Sequence, residues 1–88
     1  MNGVQRIAAE RERQRGLFTP ARDDEYTRNE LSLAAIVYAS TGTDNNPIVA
    51  GVWPWHWDTF KPGSRIRNLT KAGALIAAEI DRLQRLEP

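Results

Sequence analysis

The sequence predicts an all-α fold: a small three-helix domain with helices over residues 3–15, 28–40 and 65–86, and an extended Trp/Pro-rich loop packed across them. Three observations predict it. Apolar residues recur at helical spacing in the first and last segments. An almost continuously apolar run, Leu31 to Ala39, follows a Thr-x-x-Glu capping pattern. All three tryptophans fall between Val52 and Phe60, where Pro54 and Pro62 rule out a continuous helix.

In the first helix, Val4, Ile7, Ala8 and the stem of Arg11 make the apolar face, opposite Arg6, Glu10, Arg13 and Gln14. Gly16 is the expected stop. Arg11, Arg13 and Arg15 read either as an anion clamp or as a solvated helix face, the second being the commoner use of such a run. Leu17 to Ala21 reads as a connector, with Phe18 folding back onto the core. The acids Asp23, Asp24 and Glu25 repel one another unless paired. Either aspartate caps a local turn or accepts hydrogen bonds from a sugar diol or base edge.

Thr27 and Glu30 open the second helix, whose apolar residues on nearly every side predict a central position; Tyr38 reads as a core residue whose hydroxyl needs a partner. Thr41 to Gly51 carries turn formers and reads as a loop. Pro62 and Gly63 make a turn, and Ser64 caps the last helix. There Ile66, Leu69, Gly73, Ile76, Ile80 and Leu83 form one stripe, with Leu75 and Leu86 on a second surface. Ala72, Gly73, Ala74, Ala77 and Ala78 allow another backbone close approach, and Gly73 in mid-helix implies a packing reason. Glu79–Arg82 and Asp81–Arg85 are expected to pair on an exposed face.

Eighty-eight residues make a single domain with a marginal core, for which aromatic anchors or a second subunit compensate. A net charge of +1 argues against binding long nucleic acid. The absence of cysteine excludes disulfides and thiolate zinc sites. No apolar run reaches the length of a membrane span, and a cytoplasmic location is expected. The chain has one histidine, His56, and no nucleophile or phosphate-loop motif, so neither a catalytic site, a metal site nor a cofactor is expected.

Recognition is the better-supported chemistry. Trp53, Trp55, Trp57 and Phe60 offer rings to stack a base. Lys61, Arg65, Arg67 and Lys71 offer donors for phosphate, and Asp23, Asp24 or Asp58 offers an acceptor for sugar or base. Alternation along an extended segment would put Trp53, Trp55 and Trp57 on one side, where they either seal the helices or face a ligand.

Glu10-Arg11-x-Arg13-Gln14, Arg22-Asp23-Asp24, Trp53-Pro54-Trp55, Phe60-Lys61-Pro62 and the tail Leu69 to Ile80 together resemble a family of small phage and prophage proteins. The order helix, Gly16 with Phe18, Asp23-Asp24, helix, Lys61 with Arg65 or Arg67, helix is also similar to the ryanodine-receptor repeat domain, though Leu17 stands where that repeat carries tryptophan. These resemblances imply a phage-encoded protein in the host cell cytoplasm; the lack of catalytic groups makes a non-enzymatic binding protein the expectation, and the small-residue helices with a marginal core favour a homo-oligomer. It would capture a nucleotide-type immune signal and so counter bacterial antiviral defence. The other expectations are an anti-CRISPR-type inhibitor of a defence protein complex and a structural phage protein.

Overall fold

The computed structural model describes residues 1–17 and 19–87; the expected inward packing of Phe18 lies outside the described residues. The described chain is helical without a strand: α1 (Gly3–Leu17), α2 (Pro20–Asp23), α3 (Glu30–Ala39) and α4 (Arg65–Leu86), with a 3-10 turn at Trp57–Thr59. The expected connector therefore holds a fourth, short helix. Thr19 caps it by accepting the Arg22 N–H, and Pro20 sits in its first turn, where a missing donor costs nothing.

α3 packs on α4 through small residues: Ala34, Ala35, Ala72, Ala74 and Ala78 are all buried, so the two backbones approach closely. Around them lies one apolar cluster, Ala35, Val37, Tyr38, Phe60 and Ala72, with Trp53 and Leu75 against its edge. The start of α3 departs from the capping-box reading. Asn29, at φ 65°, is the N-cap residue, and Glu30 accepts the Arg28 N–H instead of that of Thr27.

Two polar devices fix the start of α4. Ser64 accepts the Arg67 N–H at 3.1 Å, as its position predicts. Asn68, wholly buried, accepts from Gly63 N–H at 2.8 Å and donates to the Gly63 and Thr41 carbonyls. Buried amides are tolerated only when satisfied in this way. Thr41, also buried, returns its hydroxyl to the Val37 carbonyl and bridges to Pro47, closing the 42–46 loop.

Two expected faces are met only in part, Ile7 and Arg11 of the first turning inward onto Gly73 and Asp81. On α1 the buried residues are Glu10 and Gln14, while Val4 is 78% exposed and Ala8 is exposed. The surface α4 offers to α1 is polar at Arg67 and Asp81, so α1 brings Glu10 and Arg11 inward beside Ile7. On α4 the aliphatic stripe Ile66, Leu69, Ile76, Ile80 and Leu83 is exposed, whereas Asn68, Thr70, Ala72, Ala74, Ala78, Glu79 and Arg82 are buried. Gly73 does have a packing reason: an added Cβ would lie 2.5 Å from Ile7 Cδ1. The Glu79–Arg82 pair forms but is buried, and Asp81 and Arg85 part company, to Arg11 and to Asp24.

Candidate functional site

Between α1, α4 and the aromatic segment lies a cavity of about 510 Å³, within the usual range for a small-molecule site. Its lining combines two chemistries. Four aromatic rings contribute, those of Tyr26, Tyr38, Trp53 and Trp55, and six cationic side chains face two carboxylates. The cations are Arg11, Arg13, Arg22, Lys61, Arg67 and Lys71; the carboxylates are Glu10 and Asp23. On a chain with a net charge of +1, this is a strong local concentration of positive charge.

Glu10 organises the cationic side. Its carboxylate receives Arg13 Nε at 2.9 Å and Nη2 at 2.8 Å from its own helix, and Arg67 Nη1 at 2.7 Å from α4. Gln14 Nε2 adds a fourth bond at 3.1 Å. Burial alone would raise the Glu10 pKa, but the Arg13 and Arg67 hydrogen bonds outweigh it and hold the carboxyl at about 2. One fixed negative charge thus positions two guanidinium groups. Each guanidinium has five N–H donors, so donors remain on both for oxygens of a bound anion.

Lys71 donates its Nζ to the Lys61 carbonyl and lies 5.2 Å over the Tyr38 ring. Burial, with Arg67 nearby, lowers its pKa. The Lys61 ammonium has no partner among the described residues, while its backbone N–H donates to the Tyr38 hydroxyl at 3.0 Å. That bond satisfies the core tyrosine anticipated from sequence and leaves its own O–H as a donor. Asp23, buried, stands 4.0 Å from Arg11, and burial raises its pKa against the pull of Arg11.

The aromatic segment turns at His56 instead of staying extended. The His56 carbonyl accepts the Thr59 N–H, and its Nδ1 accepts the Asp58 N–H, closing the 3-10 turn. Trp53 sits at the centre of the rings, edge-on to Trp55 at 5.5 Å and to Phe60 at 5.2 Å. Its indole N–H reaches the His56 carbonyl and Thr59 Oγ1. Trp55 meets Tyr26 at 5.1 Å, and its own buried indole N–H has no acceptor among the described residues. Leaving that buried donor unmet carries a desolvation cost.

Of the site residues read from sequence, Asp23, Trp53, Trp55, Lys61 and Arg67 come together at the cavity. Four others are placed elsewhere. Asp24 pairs with Arg85 at 2.7 Å. Trp57 is 47% exposed, stacked at 4.7 Å on Phe60, and Phe60 itself is core. Arg65 donates to the Ala39 and Thr41 carbonyls, capping the end of α3. Sequence reasoning missed Glu10 and Tyr26 as cavity residues and read Arg13 only within an anion clamp. Glu10 and Gln14 four residues apart among arginines are the signal that was present, a polar stripe at helical spacing. Each arginine of the suggested clamp is already paired: Arg11 with Asp81, Arg13 with Glu10, and Arg15 with Glu12 and Asp81. Among the described residues no three His, Cys, Asp or Glu side chains gather as a metal-ligand set, and no helix is long and apolar enough to cross a membrane.

Comparison with protein-family models, curated proteins and solved structures gives no match for this chain.

Proposed function

We propose that this protein binds a small anionic ligand carrying a flat ring, of the nucleotide class, and holds it without turnover. The observation that carries the reading is the shared cavity: Trp53, Trp55, Tyr26 and Tyr38 line the same 510 Å³ space as Arg13, Arg67, Lys61 and Lys71. Stacking a base on aromatic rings contributes about 1–3 kcal/mol. Guanidinium donors already oriented by Glu10 meet phosphate oxygens without further ordering. Asp23 supplies an acceptor for a sugar hydroxyl or a base edge.

Capture, not catalysis, suits the groups present. The single histidine is exposed and engaged with the Asp58 N–H, and both cavity carboxylates face arginine. The resemblance to small phage proteins gives the capture a setting: sequestration, in the host cytoplasm, of a nucleotide-type signal used in antiviral defence. The test is to heat-denature the purified protein and examine the released supernatant by absorbance at 260 nm and mass spectrometry. The proposal predicts a stoichiometric phosphorylated, ring-bearing compound when the protein is purified from cells making such a signal. A supernatant without one contradicts it.

A further inference from the structure

Asp23 is only 6% exposed, yet its carboxylate accepts no hydrogen bond from any described residue. Arg11 Nη2 stands 4.0 Å away, beyond hydrogen-bonding distance, and is held by Asp81 at 3.0 Å. Enclosed polar groups are nearly always hydrogen-bonded. This one lacks a donor and lines the aromatic cavity.

The carboxylate and the anion-binding cations stand at opposite ends of that cavity. Asp23 and Arg11 also border a neighbouring space beside Asp81 and Arg85, whereas Glu10, Arg13 and Arg67 border another beside Arg6 and Ser64. Along α4, Lys71 and Arg67 precede Asp81 by about 15 and about 21 Å of helix axis. A phosphate at the Asp23 end would meet three carboxylates, Asp23, Asp24 and Asp81, with Arg11 and Arg85 already engaged by the last two. In a nucleotide the sugar joins base to phosphate. With phosphate on Arg13, Arg67 and Lys71, the outer edge of the base is therefore the part that reaches Asp23. Tyr26 lies at the same end: its N–H donates to the Asp23 carbonyl at 3.0 Å, Arg22 Nε donates to its hydroxyl at 3.0 Å, and its ring meets Trp55.

An ionised carboxylate offers acceptors only, on two oxygens. Guanine alone among the common bases matches it with two adjacent N–H donors, N1–H and the 2-amino group. Adenine and cytosine set a ring-nitrogen acceptor beside their amino group, and uracil flanks its N–H with two carbonyls. Given a nucleotide in the cavity, as proposed, we infer that its base is guanine, read by Asp23 through those two donors. Two charge-assisted bonds would also offset the desolvation that raises the Asp23 pKa.

Titration calorimetry of the full chain with guanosine, inosine and adenosine diphosphates, alike in sugar and phosphates, isolates the base. The guanosine compound should bind about 10-fold or more tighter than the adenosine one, the discrimination of one bidentate pair. The inosine compound, which keeps N1–H and lacks the 2-amino group, should fall between them. Asp23→Asn replaces one acceptor by a donor, so it should weaken guanosine diphosphate about 10-fold or more and leave adenosine diphosphate within about threefold. A carboxylate kept only to face Arg11 would instead cost stability in that variant without changing the ratio of the two affinities. Adenosine or inosine diphosphate binding as tightly as the guanosine compound overturns the inference and leaves nucleotide capture standing. So does an Asp23→Asn protein that keeps the wild-type ratio. If Asp23→Asn fails to fold, the ranking by the wild type decides alone. Flat titrations with all three overturn the inference too, whereas nucleotide capture falls only if the heat-released supernatant is also empty.

Discussion

Glu10 on α1 and Arg67 on α4 meet at 2.7 Å, with the glutamate side chain almost wholly enclosed. This pair ties the first helix to the last and fixes one wall of the cavity. Breaking one partner of a buried, hydrogen-bonded charge pair costs about 3–5 kcal/mol. Glu10→Gln keeps the shape and removes the charge, and should lower stability by about 2–3 kcal/mol in urea unfolding. It should also weaken anion binding, because Arg13 and Arg67 lose their common anchor.

The same carboxylate sets an acid dependence. Its folded pKa is about 2, below the ordinary 4.5, so its stabilisation is complete above about pH 4.5. The contribution, roughly 3 kcal/mol, is lost as pH falls from there towards 2. Urea midpoints between pH 5 and pH 2 should decline more steeply in the wild type than in Glu10→Gln.

Lys71 gives the opposite linkage. Burial, with Arg67 nearby, depresses its pKa, and an anion in the cavity would restore it. Binding should therefore be accompanied by proton uptake at alkaline pH, and affinity should fall as pH rises through the depressed value. Calorimetry in buffers of different ionisation enthalpy measures the uptake, and Lys71→Met should abolish it.

Gly73 is held by Ile7, whose Cδ1 and Cγ1 would stand 2.5 and 2.8 Å from a new Cβ. Helix propensity alone would make Gly73→Ala stabilising by about 1 kcal/mol. Overpacking against a β-branched neighbour costs about 1–3 kcal/mol, so the clash wins and the variant should lose about 1 kcal/mol. In an Ile7→Ala background the same change should become stabilising, which thermal unfolding of the four-protein cycle would reveal.

How much the sequence discloses differs by element. α4 is legible from cap to end because Ser64, Pro62 and Gly63 act locally. The inward face of α1 is not, since burying Glu10 depends on Arg67, a partner supplied from the far end of the chain. Arg65 likewise looks like an anion donor until α3 delivers the Ala39 and Thr41 carbonyls to it. Alternation along the tryptophans fails for a local reason: the 3-10 turn at Trp57–Thr59 rotates Trp57 outward while Trp53 and Trp55 stay at the cavity. The exposure of the α4 stripe is illegible for another reason, because periodicity marks an apolar face without saying whether this chain or a second one covers it.

Ligand capture in the aromatic cavity is tested by titration calorimetry of the wild type, Trp55→Ala and Trp57→Ala with cyclic dinucleotides and ADP-ribose derivatives. The wild type should show saturable binding of at least one of these. Trp55→Ala, which strips a cavity wall, should weaken it about 10-fold or more, matching about 1–3 kcal/mol of stacking. Trp57→Ala, outside the cavity, should leave it within about twofold. Flat titrations across the panel, or equal losses in the two variants, would contradict it.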